Sequence, residues 1–172
     1  EWVDTGSTHA RMLPDGDGGA FIAWTEAATY PTSVAAQRLD ADGDKVWTGD
    51  YVIFGEGNTV RLVSDGADGF VLGWQDPHVS TSTIMGARIA ADGSEVWSAL
   101  AVSPTWDCVL TAELISDGAG GAIWIWQDGG DIVARRVDAD GNVLWGTAGW
   151  SVFPYVVTAG EGQQISDGAG GT

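Results

Sequence analysis

Apolar runs of roughly four to eight residues recur along the chain, bounded by Asp-Gly, by Gly-Gly or by loops with Pro31 or Pro77, which is a strand pattern rather than a helical one. The stretch from Leu114 to Trp145, LISDGAGGAIWIWQDGGDIVARRVDADGNVLW, shows the pattern most clearly. Leu114-Ile115-Ser116 reads as a short strand A. Asp117 to Gly121 is a glycine-rich reversal, where several residues need positive φ. Ala122 to Gln127 is strand B, apolar on both faces, as expected of a strand lying between two other sheets. Gly129-Gly130 signals a tight hairpin, and Asp131 to Asp138 is strand C. Asp138-Ala139-Asp140-Gly141 fits a type I turn closed by a left-handed glycine. Asn142 to Trp145 then supplies strand D. The unit predicts a four-stranded antiparallel meander, followed by a looser linker.

The same unit occurs twice upstream. Its opening Asp-Gly falls at Asp15-Gly16, Asp65-Gly66, Asp117-Gly118 and again at Asp167-Gly168, in steps of 50, 52 and 50 residues. A Trp follows at Trp24, Trp74 and Trp126, and an Arg at Arg38, Arg88 and Arg136. A second Asp-Gly follows at Asp42, Asp92 and Asp140, then a second Trp at Trp47, Trp97 and Trp145. Five features in one order, three times over, define a repeat protein. The units span about residues 8–48, 59–98 and 110–146, and a fourth begins at 163. The linkers are Thr48 to Val60, Ser98 to Thr111 and Gly146 to Gln163. Residues 1–172 thus read as a single repeat domain, and as part of a larger propeller, because the fourth unit stops just after its reversal. Gln164 to Asp167 should be a strand, and Ser7 to Met12 should occupy the strand A place of unit one.

Meanders of this period suggest an all-β fold of β-propeller blades, three complete and a fourth begun. A β-trefoil, with its three four-stranded repeats, is the alternative. The apolar double-faced strand B and the start of a fourth unit favour the propeller. The repeated Trp residues belong to the core, since packing between units requires the same residue in each. The repeated Arg residues suit pairing with an Asp of the unit or packing on Trp.

The motif SDGAGGAIWIWQD…DIVARRVDADGNVLWG resembles the tandem DGxGGxxxxW…RxDxxGxxxW repeats of secreted and cell-surface bacterial and archaeal proteins, which are propeller-like. VDADGNVLW also resembles the Trp-docking segment of quinoprotein-type blades. The resemblance covers nearly the whole chain. It implies a secreted, non-catalytic module and supplies no catalytic residues. Unit two departs from the pattern at Ala90, where the other units have Asp40 and Asp138.

Charge narrows the function. The formal net charge is −17, with one Lys and six Arg. Nucleic acid and anionic membrane surfaces both call for a basic face. Turn chemistry accounts for much of the acidity, because many Asp residues directly precede Gly. No apolar run approaches the roughly 18 residues of a membrane helix. Cys108 is the single cysteine, so no internal disulfide forms.

Few residues offer chemistry. Asp40, Asp42 and Asp44 alternate as in calcium loops, but Ca²⁺ takes six to eight oxygens and the hairpin reading explains them as well. His9 and His78 are isolated, whereas zinc needs three or four ligands. Trp2, Trp106, Trp150 and Tyr155 lie in linkers or near a terminus and are not repeated. They are the candidate ligand-binding aromatics, suited to stacking on a sugar or a partner. The expectation is a structural or protein-interaction module, not an enzyme, without cofactor or metal, located extracellularly, on the cell surface or in the periplasm. Its partner would be a protein or further copies or blades of the same repeat. A carbohydrate-binding lectin taking a glycan is the second reading, and a fragment of a quinoprotein-type enzyme the third.

Overall fold

The computed structural model describes residues 8–27, 31–76, 83–103, 112–128, 131–146 and 150–153. These residues form three four-stranded antiparallel sheets, each a simple meander drawn from one repeat. The first contains β1 (Thr8–Pro14), β2 (Ala20–Glu26), β3 (Ser33–Leu39) and β4 (Val52–Glu56). The second contains β5 (Asn58–Ser64), β6 (Phe70–Asp76), β7 (Thr83–Ile89) and β8 (Glu95–Ala101). The third contains β9 (Glu113–Ser116), β10 (Ala122–Asp128), β11 (Asp131–Val137) and β12 (Trp150–Phe153). Among the described residues no helix is long and apolar enough to cross a membrane.

Strands A, B and C fall where the sequence places them; strand D does so only in the second sheet. Asn142 to Trp145 makes only an isolated bridge, Val137 to Val143. The fourth strand of that sheet is β12, which pairs with β11 through Ala134 and Trp150. In the first sheet, too, the fourth strand is β4, within the segment read as a linker. Only in the second sheet does β8 run on directly from the turn and include Trp97. The DGxxxW segment is therefore mainly a crossing to the outer strand, and two of the three linkers contain that strand. β5 likewise starts inside the first linker. β1 takes the strand A place of the first sheet, as expected, whereas Gln164 to Asp167 lies outside the described residues.

The sheets stack face to face. Phe21, Ala23, Val34 and Ala36 of the first sheet meet Phe70, Leu72, Trp74 and Ile89 of the second in one core. Val71 and Ile84 of the second sheet meet Trp124, Trp126 and Val133 of the third in another. Phe21 lies against Phe70 with ring centroids 4.9 Å apart. The first strands β1, β5 and β9 form the main line of approach between sheets, and the outer strands touch less. Residue alternation explains the burial. β6 sits in the middle sheet and is buried from Phe70 to Gln75. In β2 only alternate positions are covered up to Trp24, because its other face has no neighbouring sheet among the described residues.

That asymmetry corrects the expectation for tryptophan. Trp74 and Trp126 are buried at 3% and 2% exposure, and Trp47 is buried as well. Trp24, Trp97 and Trp145 are only half-buried. Trp24 points to the uncovered face of the first sheet, where its ring meets Tyr51 edge-on.

Burial ranks the equivalent tryptophans energetically. Trp126→Ala should lower unfolding free energy by about 3–5 kcal/mol, the cost of a large cavity. Trp24→Ala should cost clearly less, because part of its surface is already in water. Urea denaturation of both variants measures the difference, and equal costs would show that the outer face of the first sheet is covered.

Candidate functional site

The glycine-rich reversal is built around one aspartate. Asp117 Oδ1 accepts hydrogen bonds from the backbone N–H groups of Ala119 and Gly121, both 2.8 Å. Its Oδ2 accepts from Arg136, with Nη2 at 2.8 Å. The side chain of Asp117 is fully buried. Asp65 repeats the arrangement with Ala67, Gly69 and Arg88. Asp15 repeats it with Asp17, Gly19 and Arg38, and Arg38 adds a second carboxylate, Asp17, at 3.0 Å. The last glycine of the reversal is required by close approach: a Cβ on Gly121 would lie 2.2 Å from the carbonyl oxygen of Val137. Burial pushes the Asp15 carboxyl up, but the N–H groups of Asp17 and Gly19 and the Arg38 guanidinium outweigh that and hold it below its usual value of 3.8.

The second turn presents a carbonyl outward. In the third sheet Asp138 Oδ1 accepts from the N–H groups of Asp140 and Asn142, and Gly141 N–H closes the turn on the Asp138 carbonyl at 3.1 Å. Gly141 has φ of 83°, as its expected turn type demands, and Gly43 and Gly93 match it at 84° and 86°. Asp40 is used in the same way, taking the N–H groups of Asp42 and Asp44 at 3.0 and 2.9 Å. Its carboxylate thus serves its own turn, and Asp42 and Asp44 are exposed. Among the described residues no group of three or more His, Cys, Asp or Glu side chains could hold a metal ion. At Ala90 the aspartate is absent, and Asp92 instead binds Ser94 through both its N–H and hydroxyl.

Onto this turn the preceding sheet docks a tryptophan. Trp47 Nε1 donates to the carbonyl oxygen of Ala91 at 2.9 Å, and Trp97 Nε1 donates to that of Ala139 at 3.2 Å. The indole lies over the glycine of the turn, so a Cβ on Gly93 or on Gly141 would come within 3.0 Å of the ring. Arg88 Nη1 reaches the same Ala139 carbonyl at 3.1 Å. Nearer the first strands, Arg61 of β5 pairs with Glu113 of β9 at 3.4 Å. Aromatic, cation and ion pair act together at the junction of the second and third sheets.

The residues singled out as ligand-binding aromatics are not gathered here. Trp2, Trp106 and Tyr155 lie outside the described residues. Trp150 begins β12, and its side chain is likewise outside the description. The dock itself depends on Ala91 and Ala139, whose contribution is a backbone oxygen and so leaves no trace in residue type. Its available signal was the fixed spacing from the turn glycine to the following Trp, four residues on in every unit.

The chain matches no protein-family model. It also matches no curated protein.

Two measurements follow from this geometry. Gly141→Ala should cost more in urea denaturation than Gly118→Ala: both glycines have positive φ, a penalty of about 1 kcal/mol, but only at Gly141 does the new Cβ meet a docked ring. Equal costs would mean that Trp97 is not seated on the turn. For Asp15, whose carboxyl is held low in the folded protein, the contribution to stability is complete well above 3.8 and is lost as pH falls below that value. The acid limb of the urea midpoint against pH should therefore flatten in Asp15→Asn, and an unchanged limb would contradict the buried ion pair.

Proposed function

We propose that the chain is a non-catalytic structural and protein-interaction module built of β-propeller blades, acting extracellularly, at the cell surface or in the periplasm. The observation that carries this reading is the junction made twice over, with Trp47 on the Ala91 turn and Trp97 on the Ala139 turn. A contact that repeats from sheet to sheet is the device of a protein whose purpose is ordered stacking. Sheets that approach along their first strands resemble blades around a hub. Each sheet is drawn from one repeat, which suits blades better than the shared barrel of a trefoil.

The charged groups support a structural role. The recurring aspartates Asp15, Asp65 and Asp117 are committed to turn N–H groups and to arginine. Asp40 and Asp138 are committed to their own turns. A net charge of −17 suits an acidic protein surface facing solvent rather than nucleic acid. Placement outside the cytoplasm rests on the resemblance of the repeats to those of secreted and cell-surface proteins.

A glycan array probed with the intact chain separates this reading from a lectin. The expected outcome is no sugar whose binding is lost in Trp150→Ala. A sugar bound by the parent chain and released by that substitution would replace the interaction module with a carbohydrate-binding function.

A further inference from the structure

The junction between sheets has two halves, and among the described residues each half is also present once without its mate. The acceptor half is the turn Asp40 to Asp44 of the first sheet. Gly43 matches Gly93 and Gly141 in position and φ, yet among the described residues nothing lies within 4 Å of its Cβ direction, where the others carry an indole. The donor half is Trp145 of the third sheet. It corresponds to Trp47 and Trp97 but is half-buried, and its φ of 62° lies in the left-handed region that a tryptophan rarely adopts.

The surrounding faces are complementary in the same sense. Met12, Ile22 and Trp24 on the outer face of the first sheet occupy the positions of Leu114, Trp124 and Trp126 on the third. The latter three are buried against the second sheet, whereas Met12 is 71% exposed. Charge agrees as well. Arg61 faces Glu113 across the junction of the second and third sheets. One step further along the stack, Glu113 would face the position held by Arg11, an opposite charge. Arg136 would take the part that Arg88 plays on the Ala139 carbonyl, and its side chain is the more exposed of the two at 27% against 18%.

We infer that a second copy of this chain docks head to tail, its first sheet receiving Trp145 and Arg136 on the Ala41 carbonyl and the Gly43 platform. This rests on the blade reading above and names the partner. The interface is heterologous, since the two surfaces are different. The described sheets of two copies number six, within the four to eight that closed propellers use. Each copy carries a formal charge of −17, so association works against long-range repulsion that salt screens. Docking should therefore tighten as salt is raised, the reverse of a contact held by surface ion pairs.

Sedimentation velocity of the 172-residue chain over a concentration series, at low and at high salt, tests this. The expected result is a dimer, favoured by salt. Trp145→Ala should weaken it at least about 30-fold, as the loss of a central aromatic anchor does. Gly43→Asn should weaken it similarly, because Asn tolerates the left-handed backbone but covers the platform. Gly118→Asn, at another open turn of positive φ, should leave association unchanged. The decisive arm mixes the two weakened variants. Trp145→Ala keeps an open platform and Gly43→Asn keeps its tryptophan, so together they should form a one-to-one complex that neither forms alone. A parent chain that stays monomeric throughout, a dimer indifferent to both substitutions, or a mixture that does not recombine would each overturn the inference. The glycan array is independent of these outcomes, so a failed dimer leaves the interaction-module reading standing.

Discussion

The structure depends on keeping a carboxylate out of water at the same place in each sheet. Asp15, Asp65 and Asp117 have almost no side-chain exposure. A buried charge is tolerated only when it is paired and its lone pairs are filled. Two turn N–H groups fill one oxygen, and an arginine from the third strand fills the other. The reversal between the first two strands is thereby tied to the third, and the glycine-rich loop takes one shape. Removing one partner of such a pair would leave the other uncompensated, which is destabilising.

Stacking then follows from the turns. The arginine that satisfies the aspartate lies on the face toward the next sheet, and Arg88 goes on to reach across to Ala139. The second turn offers that carbonyl outward, while Asp138 takes the N–H groups of Asp140 and Asn142. An indole can settle there because the turn glycine has no side chain. Local turn chemistry and contact between sheets are thus the same atoms seen at two scales.

Much of this was legible in the residues. The three inner strands of each sheet, the positive-φ glycines and the pairing of arginine with aspartate all leave a mark in residue type and spacing. The outer strand does not. Val52–Glu56 and Trp150–Phe153 differ in sequence from Glu95–Ala101, and position in the sheet rather than pattern selects them. Ala91 and Ala139 were invisible as partners because a backbone oxygen is common to every residue. Trp24 is less buried than Trp126 because equivalence in sequence does not ensure a neighbour on both sides. The four candidate ligand aromatics are unrepeated and stand in linkers or near a terminus, where no periodic pattern marks a residue's role.

Exchange of the tryptophan indole N–H protons with deuterated water, resolved by NMR on dilute chain at low salt, tests the central claim that the dock holds neighbouring sheets together. The indole protons of Trp47 and Trp97 should exchange slowly, being bonded to Ala91 and Ala139 across the junctions, and that of Trp145 should exchange quickly. Exchange of Trp47 and Trp97 as fast as that of Trp145 would contradict it.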